Sequence, residues 1–112
     1  MMIEKVILDY LTVNASVPVR MMRPETPPEK YIMLEKTGSS VSNHITTSTF
    51  AVQSYAPTLF EAAELNEEVK DLMDDIIVLP EISNAKLAAD YNFTNAATKQ
   101  PRYQAVYDIT HY

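Results

Sequence analysis

The apolar positions of this chain change their spacing as it proceeds. Ile3, Val6, Ile7, Tyr10 and Leu11 recur at i, i+3, i+4, i+7 and i+8, which places them on one face of a helix. Val13 and Asn14 weaken that helix and are its expected end. Val17 to Met22 reads as a short strand, kept at a sheet edge by Pro18. Three prolines between Arg23 and Glu29 then impose a stiff extended loop, because each lacks an N–H and biases its predecessor away from helix. Tyr31 to Thr37 is a second predicted strand. Gly38 to Asn43 is a predicted loop, with Gly38, the one glycine in the chain, expected at positive φ.

From His44 the pattern becomes a long strand. Ile45, Thr47, Thr49, Ala51 and Gln53 share one face, and His44, Thr46, Ser48, Phe50 and Val52 the other. Its first half is polar on both faces and is expected to project beyond the core. The strand turns at Ala56-Pro57 into the longest predicted helix, opened by Thr58-Leu-Phe-Glu61. That is a capping-box pattern, in which Thr58 accepts from the backbone three residues on and Glu61 reaches back. Leu59, Ala62, Ala63, Leu65, Val69, Leu72, Met73, Ile76 and Ile77 line one side of this helix. Pro80 closes the segment. Ala85 to Phe93 is a predicted strand with Ala85, Leu87, Ala89, Tyr91 and Phe93 on one face, and Thr94 to Gln100 a polar loop. Arg102 to His111 is the last strand, where Tyr103, Ala105, Tyr107 and Ile109 alternate with Gln104, Val106, Asp108 and Thr110. The order α-β-β-β-α-β-β predicts a single α+β domain over residues 1–112. An antiparallel or mixed sheet of four to five strands would pack against two main helices.

Composition narrows the chemistry. At 112 residues the chain can build one core, and with no cysteine it has neither disulfides nor thiolate metal sites. That suits a reducing cytoplasm. No apolar run approaches the roughly 18 residues of a membrane span, and Glu4, Lys5 and Asp9 break the N-terminal one, so no membrane partner is expected. The net charge of -6 is local: Glu61, Glu64, Glu67, Glu68, Asp71, Asp74 and Asp75 face one base, Lys70, across the long helix, and acids and bases balance elsewhere. A surface like that repels a phosphate backbone, so direct sequence-specific nucleic-acid binding is not expected. Asp74 and Asp75 also sit at the helix end where the dipole is negative.

No catalytic pattern emerges. His44 and His111 lie in different elements without metal-ligand spacing, and are expected at the surface or rim. There is no GxSxG elbow and no glycine-rich phosphate loop. The acidic stripe could hold a divalent cation or a basic partner, but a solvated helix face is the plainer reading. Phe60 is the one apolar residue on that acidic side. Arg20, Arg23 and Arg102 carry forks suited to carboxylates on a neighbouring copy, and a head-to-tail contact of that kind would close a ring. Tyr103 and Tyr107 are further interface candidates.

Three segments carry a resemblance: RPETPPEKYIMLEKTG (Arg23 to Gly38), TSTFAVQSYAPTLFEAAELNEEV (Thr47 to Val69) and QPRYQAVYDITHY (Gln100 to Tyr112). Together they are similar to the tail-terminator, or tail-completion, proteins of long-tailed bacteriophages, especially the small versions in phages and prophages of Gram-positive bacteria. In that family an extended loop leads to a Tyr/Phe-x-x-Leu strand, then to a strand ending in an aromatic-Ala pair. A helix rich in Ala and acids follows, and a Pro-Arg-Tyr segment opens the last strand. The resemblance implies an α+β virion protein without enzymatic activity, cofactor or metal. It would form a hexameric ring at the head-proximal end of the tail, stop tube polymerisation and meet the head–tail connector or neck protein. Its partners would be further copies of itself, the tail-tube subunit and the connector.

On that reading the Ser39 to Thr49 hairpin, with Ser40, Asn43 and His44 near its tip, would touch the tube. The helix bearing Glu64, Glu67, Glu68, Asp71, Asp74 and Asp75 would face a lumen that does not grip DNA. The alternatives are a neck or head-completion protein on the portal side, a monomeric acidic adaptor for a basic partner, and a small enzyme using His44 and the acids.

Overall fold

The computed structural model describes residues 2–112. Its elements in chain order are α1 (Ile3–Asn14), β1 (Val19–Arg20), β2 (Tyr31–Ser42), β3 (Ile45–Tyr55), α2 (Leu59–Asp74), a 3-10 turn at Ile76–Val78, β4 (Ile82–Asn92) and β5 (Arg102–His111). The five strands form one sheet ordered β1-β2-β3-β5-β4. Only β1 runs parallel to its neighbour, and every other pair is antiparallel. The α+β class and the element order thus follow the expectation from the sequence, and the sheet is mixed.

Both helices lie on one side of the sheet. Ile3, Ile7 and Leu11 of α1 and Leu65, Val69 and Met73 of α2 join Ile32, Leu34, Phe50, Val52, Ala105, Tyr107 and Ile109 in one buried cluster. Strand alternation selects these sheet residues: those facing the helices are apolar, and their neighbours face away. Tyr10 ties the two helices, its hydroxyl donating to the carbonyl of Leu72 at 2.7 Å.

Several local expectations are corrected. β2 does not stop at Thr37; it continues to Ser42 and pairs with β3 down to Ser42–Ile45. Gly38 sits inside this strand beside a register shift, with φ in the ordinary range and open space where a Cβ would stand. The positive φ angles fall instead on Asn43 (52°) and His44 (66°). A tight two-residue hairpin needs that geometry at both central positions, and Asn tolerates it well.

α2 ends at Asp74, and the backbone tightens into the 3-10 turn before Pro80. That change of pitch turns Ile77 outward, to 54 % exposure, while Ile76 stays buried. Leu59, in the first turn, is exposed as well, whereas the polar Asn66 is buried in the helix's inner face. Only half of the capping box forms. Thr58 accepts from the Glu61 N–H at 3.2 Å, but the Glu61 carboxylate pairs with Lys30 at 3.3 Å. β1 is shorter than Val17 to Met22, and β4 starts earlier than Ala85. A bulge between Leu87 and Ala89 also splits the β4 face: Ala85 and Leu87 lie opposite the core residues Ile109 and Tyr107, whereas Ala89 and Tyr91 lie opposite Val106 and Gln104.

Phe50 is fully buried at the centre of this layer. Replacing it with alanine leaves a cavity that neighbouring strands held on both sides cannot close. Phe50→Ala should cost about 3–5 kcal/mol in urea unfolding.

Candidate functional site

The face of the sheet away from the helices carries a network that the sequence reading missed. Gln53 and Gln104 stand directly opposite each other on β3 and β5, as do Tyr55 and Arg102. One Arg102 terminal nitrogen donates to the Tyr55 hydroxyl at 2.9 Å, and Tyr55 donates to Gln53 Oε1 at 3.0 Å. Gln53 Nε2 donates to Gln104 Oε1 at 2.7 Å, and Gln104 Nε2 donates to the Tyr91 hydroxyl at 2.6 Å. Each donor feeds the next acceptor, so the bonds run in one direction across three strands and polarise one another.

Aromatic rings frame the network. Tyr31 stacks on Tyr55 with centroids 4.5 Å apart and planes 3° from parallel, and Tyr91 meets Phe93 edge-on at 5.7 Å. The Arg102 guanidinium lies 4.4 Å from the Phe93 ring centre, and its Nε donates to the Phe93 carbonyl at 2.8 Å. Tyr31, Gln53, Tyr55 and Gln104 are buried, and Tyr91 and Phe93 keep 39 % and 41 % of their surface exposed. The available signal was the i, i+2 spacing of Gln53 with Tyr55 and of Arg102 with Gln104 in adjacent strands; pairing them required the register.

The acidic helix is more occupied than its charge suggests. Glu68 accepts from the Ser16 backbone N–H at 2.8 Å and from its hydroxyl at 2.7 Å, fixing the chain where it leaves α1. Glu67 pairs with Lys70 at 2.9 Å, and Lys70 reaches Asp90 on β4 at 2.7 Å. Asn66 Nδ2 donates to the other Asp90 oxygen at 2.6 Å, so one carboxylate clamps two turns of α2 to the sheet edge. Asp74 accepts from the Tyr107 hydroxyl at 3.2 Å. Glu64, Asp71 and Asp75 have neither base nor hydrogen-bond donor among the described residues. No group of three or more His, Cys, Asp or Glu among the described residues is arranged to hold a metal ion.

Titration follows from these contacts. The hydrogen bond from Lys70 holds the Asp90 carboxyl below its usual range, opposing burial, and the amide of Asn66 adds to it. Lys70 is raised in turn, first by Asp90 and then by Glu67. Burial raises the Tyr107 phenol, and the Asp74 charge raises it further.

The other expected site residues are scattered. Ser40, Asn43 and His44 lie exposed at the end of the β2–β3 arm. Phe60 is 73 % exposed on the α2 back, and Tyr103 is half-buried on β5. Arg20 bonds the carbonyl of its neighbour Val19, and Arg23 lies exposed in the proline loop. Tyr107 is not an interface residue within reach of a partner: it is fully buried beneath α2. His111 is not at the surface either. It is 7 % exposed, with Nε2 2.9 Å from the Ser48 hydroxyl, because alternation on β5 turns it toward the helix side. No family model matches this chain, and no curated protein matches it. Among the described residues no helix is long and apolar enough to cross a membrane.

Two predictions test these networks. Gln53→Leu strands buried amide and hydroxyl groups and should cost about 1–3 kcal/mol, whereas the Gln53→Leu/Gln104→Leu pair should cost less than the sum of the singles in a double-mutant cycle. Asp90→Asn should lower stability by about 1 kcal/mol at neutral pH. The folded Asp90 pKa is depressed, so its contribution is complete above the unfolded value of about 3.9 and is lost as pH falls through the folded value. The gap between wild type and Asp90→Asn in urea midpoint should therefore narrow on acidification below pH ~4.

Proposed function

We propose that this chain is a ring-forming tail-terminator of a long-tailed phage or prophage: a structural virion protein that caps the tail tube and joins it to the head connector. The observation that carries the reading is the β2–β3 arm. Every residue from Glu35 to Ile45 is exposed, yet β2 and β3 stay hydrogen-bonded to the Asn43-His44 turn. From Thr46 inward β3 is also paired with β5, so the outer part of β2 is left as an exposed strand edge and only the tip from Val41 to Ile45 projects beyond the sheet. An exposed strand edge offers unpaired backbone groups to another molecule, and ordering its tip costs backbone entropy that little burial within the chain repays. Its chemistry suits a protein surface: serines and threonines along the strands, with Val41 (69 % exposed) and Ile45 (47 % exposed) as apolar anchors near the tip.

The segments behind the family resemblance support the same reading, since they form the three adjacent strands β2, β3 and β5 and most of α2. The molecule is elongated, 43 Å along its long axis against 26 and 25 Å across it.

Sedimentation of the protein with the tail-tube subunits encoded beside it tests this. A hexameric species and shortened, capped tubes in electron micrographs are expected. Val41→Asp/Ile45→Asp should abolish capping while leaving the ring intact. Binding to the portal-side assembly with no effect on tubes would move the protein to the neck, and a permanent monomer inert toward both would end the reading.

A further inference from the structure

Among the described residues every ion pair is made by a lysine: Lys5 with Asp9, Lys30 with Glu61, and Lys70 with Glu67 and Asp90. None of the three arginines meets a carboxylate. Arg102 is the most constrained of them. Nε and one terminal nitrogen are spent on the Phe93 carbonyl and the Tyr55 hydroxyl, and the guanidinium carbon lies 4.4 Å from the Phe93 ring centre and 5.5 Å from that of Tyr55. Its second terminal nitrogen makes no bond to the described residues. A guanidinium held this way has already lost its rotamer freedom, so an incoming carboxylate gains the charged contact at little further entropic cost.

A second positive charge lies close by. Arg23 lies three residues past the end of β1, which pairs with Ile32 and Met33 next to Tyr31, the ring stacked on Tyr55, and the charges of Arg23 and Arg102 both oppose the rise that burial gives the Tyr31 phenol. The exposed edges of Tyr91 and Phe93 border the same end of the sheet, and aromatic residues with Arg are what interface centres favour.

The complementary surface lies on the opposite side of the same molecule. The outward back of α2 carries the unpaired carboxylates Glu64, Asp71 and Asp75, and Asp71 and Asp75, four residues apart, repel until something neutralises them. We propose that the Arg23–Arg102 end of the sheet face away from the helices is the docking surface for the acidic back of α2 on a second copy of this chain; this rests on the ring reading above and names its subunit contact. Helices cover one side of the sheet and the arginines mark the other, so the contact is heterologous. Each added copy presents the same two surfaces again, and a constant rotation closes them into a ring.

The experiment is a charge swap read by analytical ultracentrifugation. Glu64→Lys/Asp71→Lys alters two solvent-facing helix positions, and Arg23→Glu alters an exposed loop position, so neither disturbs the core. Each variant alone should weaken self-association by about tenfold or more. Mixing the two should restore assembly, because the reversed helix of one meets the reversed face of the other. Arg102→Glu should behave like Arg23→Glu, provided circular dichroism shows the fold retained.

A ring that forms normally in every variant, or variants that fail to recover on mixing, would overturn this contact and leave the ring reading standing. A wild-type chain that never self-associates, with or without tube subunits, would overturn both.

Discussion

Strand β3 has a backbone partner on each side along nearly its whole length, β2 on one edge and β5 on the other. That double pairing is the constraint on which the rest depends. It aligns Phe50 and Val52 with Leu34, Ile32, Ala105 and Tyr107, so a continuous apolar surface meets the helices. It also sets Gln53 beside Gln104 and Tyr55 beside Arg102 on the far face, and it launches α2 directly from Tyr55 through Ala56 and Pro57. A slip of one residue in either pairing would turn Phe50 to the open face and the glutamines into the core, at the cost of burial and hydrogen bonding together.

The two faces of the sheet are solved by different physics. Toward the helices, apolar side chains leave water. Away from them, amides and phenols are buried in mutual hydrogen bonds, and strand pairing holds the partners within reach. Each member of the Arg102–Tyr55–Gln53–Gln104–Tyr91 chain satisfies the next, so the amides and phenols buried on this face are hydrogen-bonded. Its rim leaves an arginine whose geometry is set and whose charge is unanswered.

The acidic helix shows the same division of labour. Glu61, Glu67, Glu68 and Asp74 have partners on their own chain, and together with the Lys70–Asp90–Asn66 clamp they hold α2, the end of α1 and β4 in place. Asp74 lies at the unfavourable end of the helix dipole, but the Tyr107 hydroxyl reaches it there from beneath the helix. What remains on the outward side is a smaller set of carboxylates facing solvent, on the side of the molecule opposite the arginine end.

Much of the fold was legible in local patterning. The 3.6-residue period of α1, the Thr58 cap, the alternation of β5 and the element order all follow from residue spacing, because helix and strand geometry act over a few neighbours. The exposure of the β2–β3 turn was readable from the lack of an apolar face around His44, but from Thr46 onward the strand lies between β2 and β5 and does not project. Longer-range facts were not legible. The extension of β2 through Gly38, the turn at Asn43-His44, the bulge that splits β4 and the burial of His111 all depend on register against another strand. The glutamine ladder and the poised Arg102 depend on it too, since cross-strand partners lie about 50 residues apart in sequence and nothing local encodes their meeting. The sequence by itself therefore determined which segments became helix or strand and where the charge resides. Only the tertiary structure decided which of those charges and polar groups found partners inside the molecule and which were left facing out.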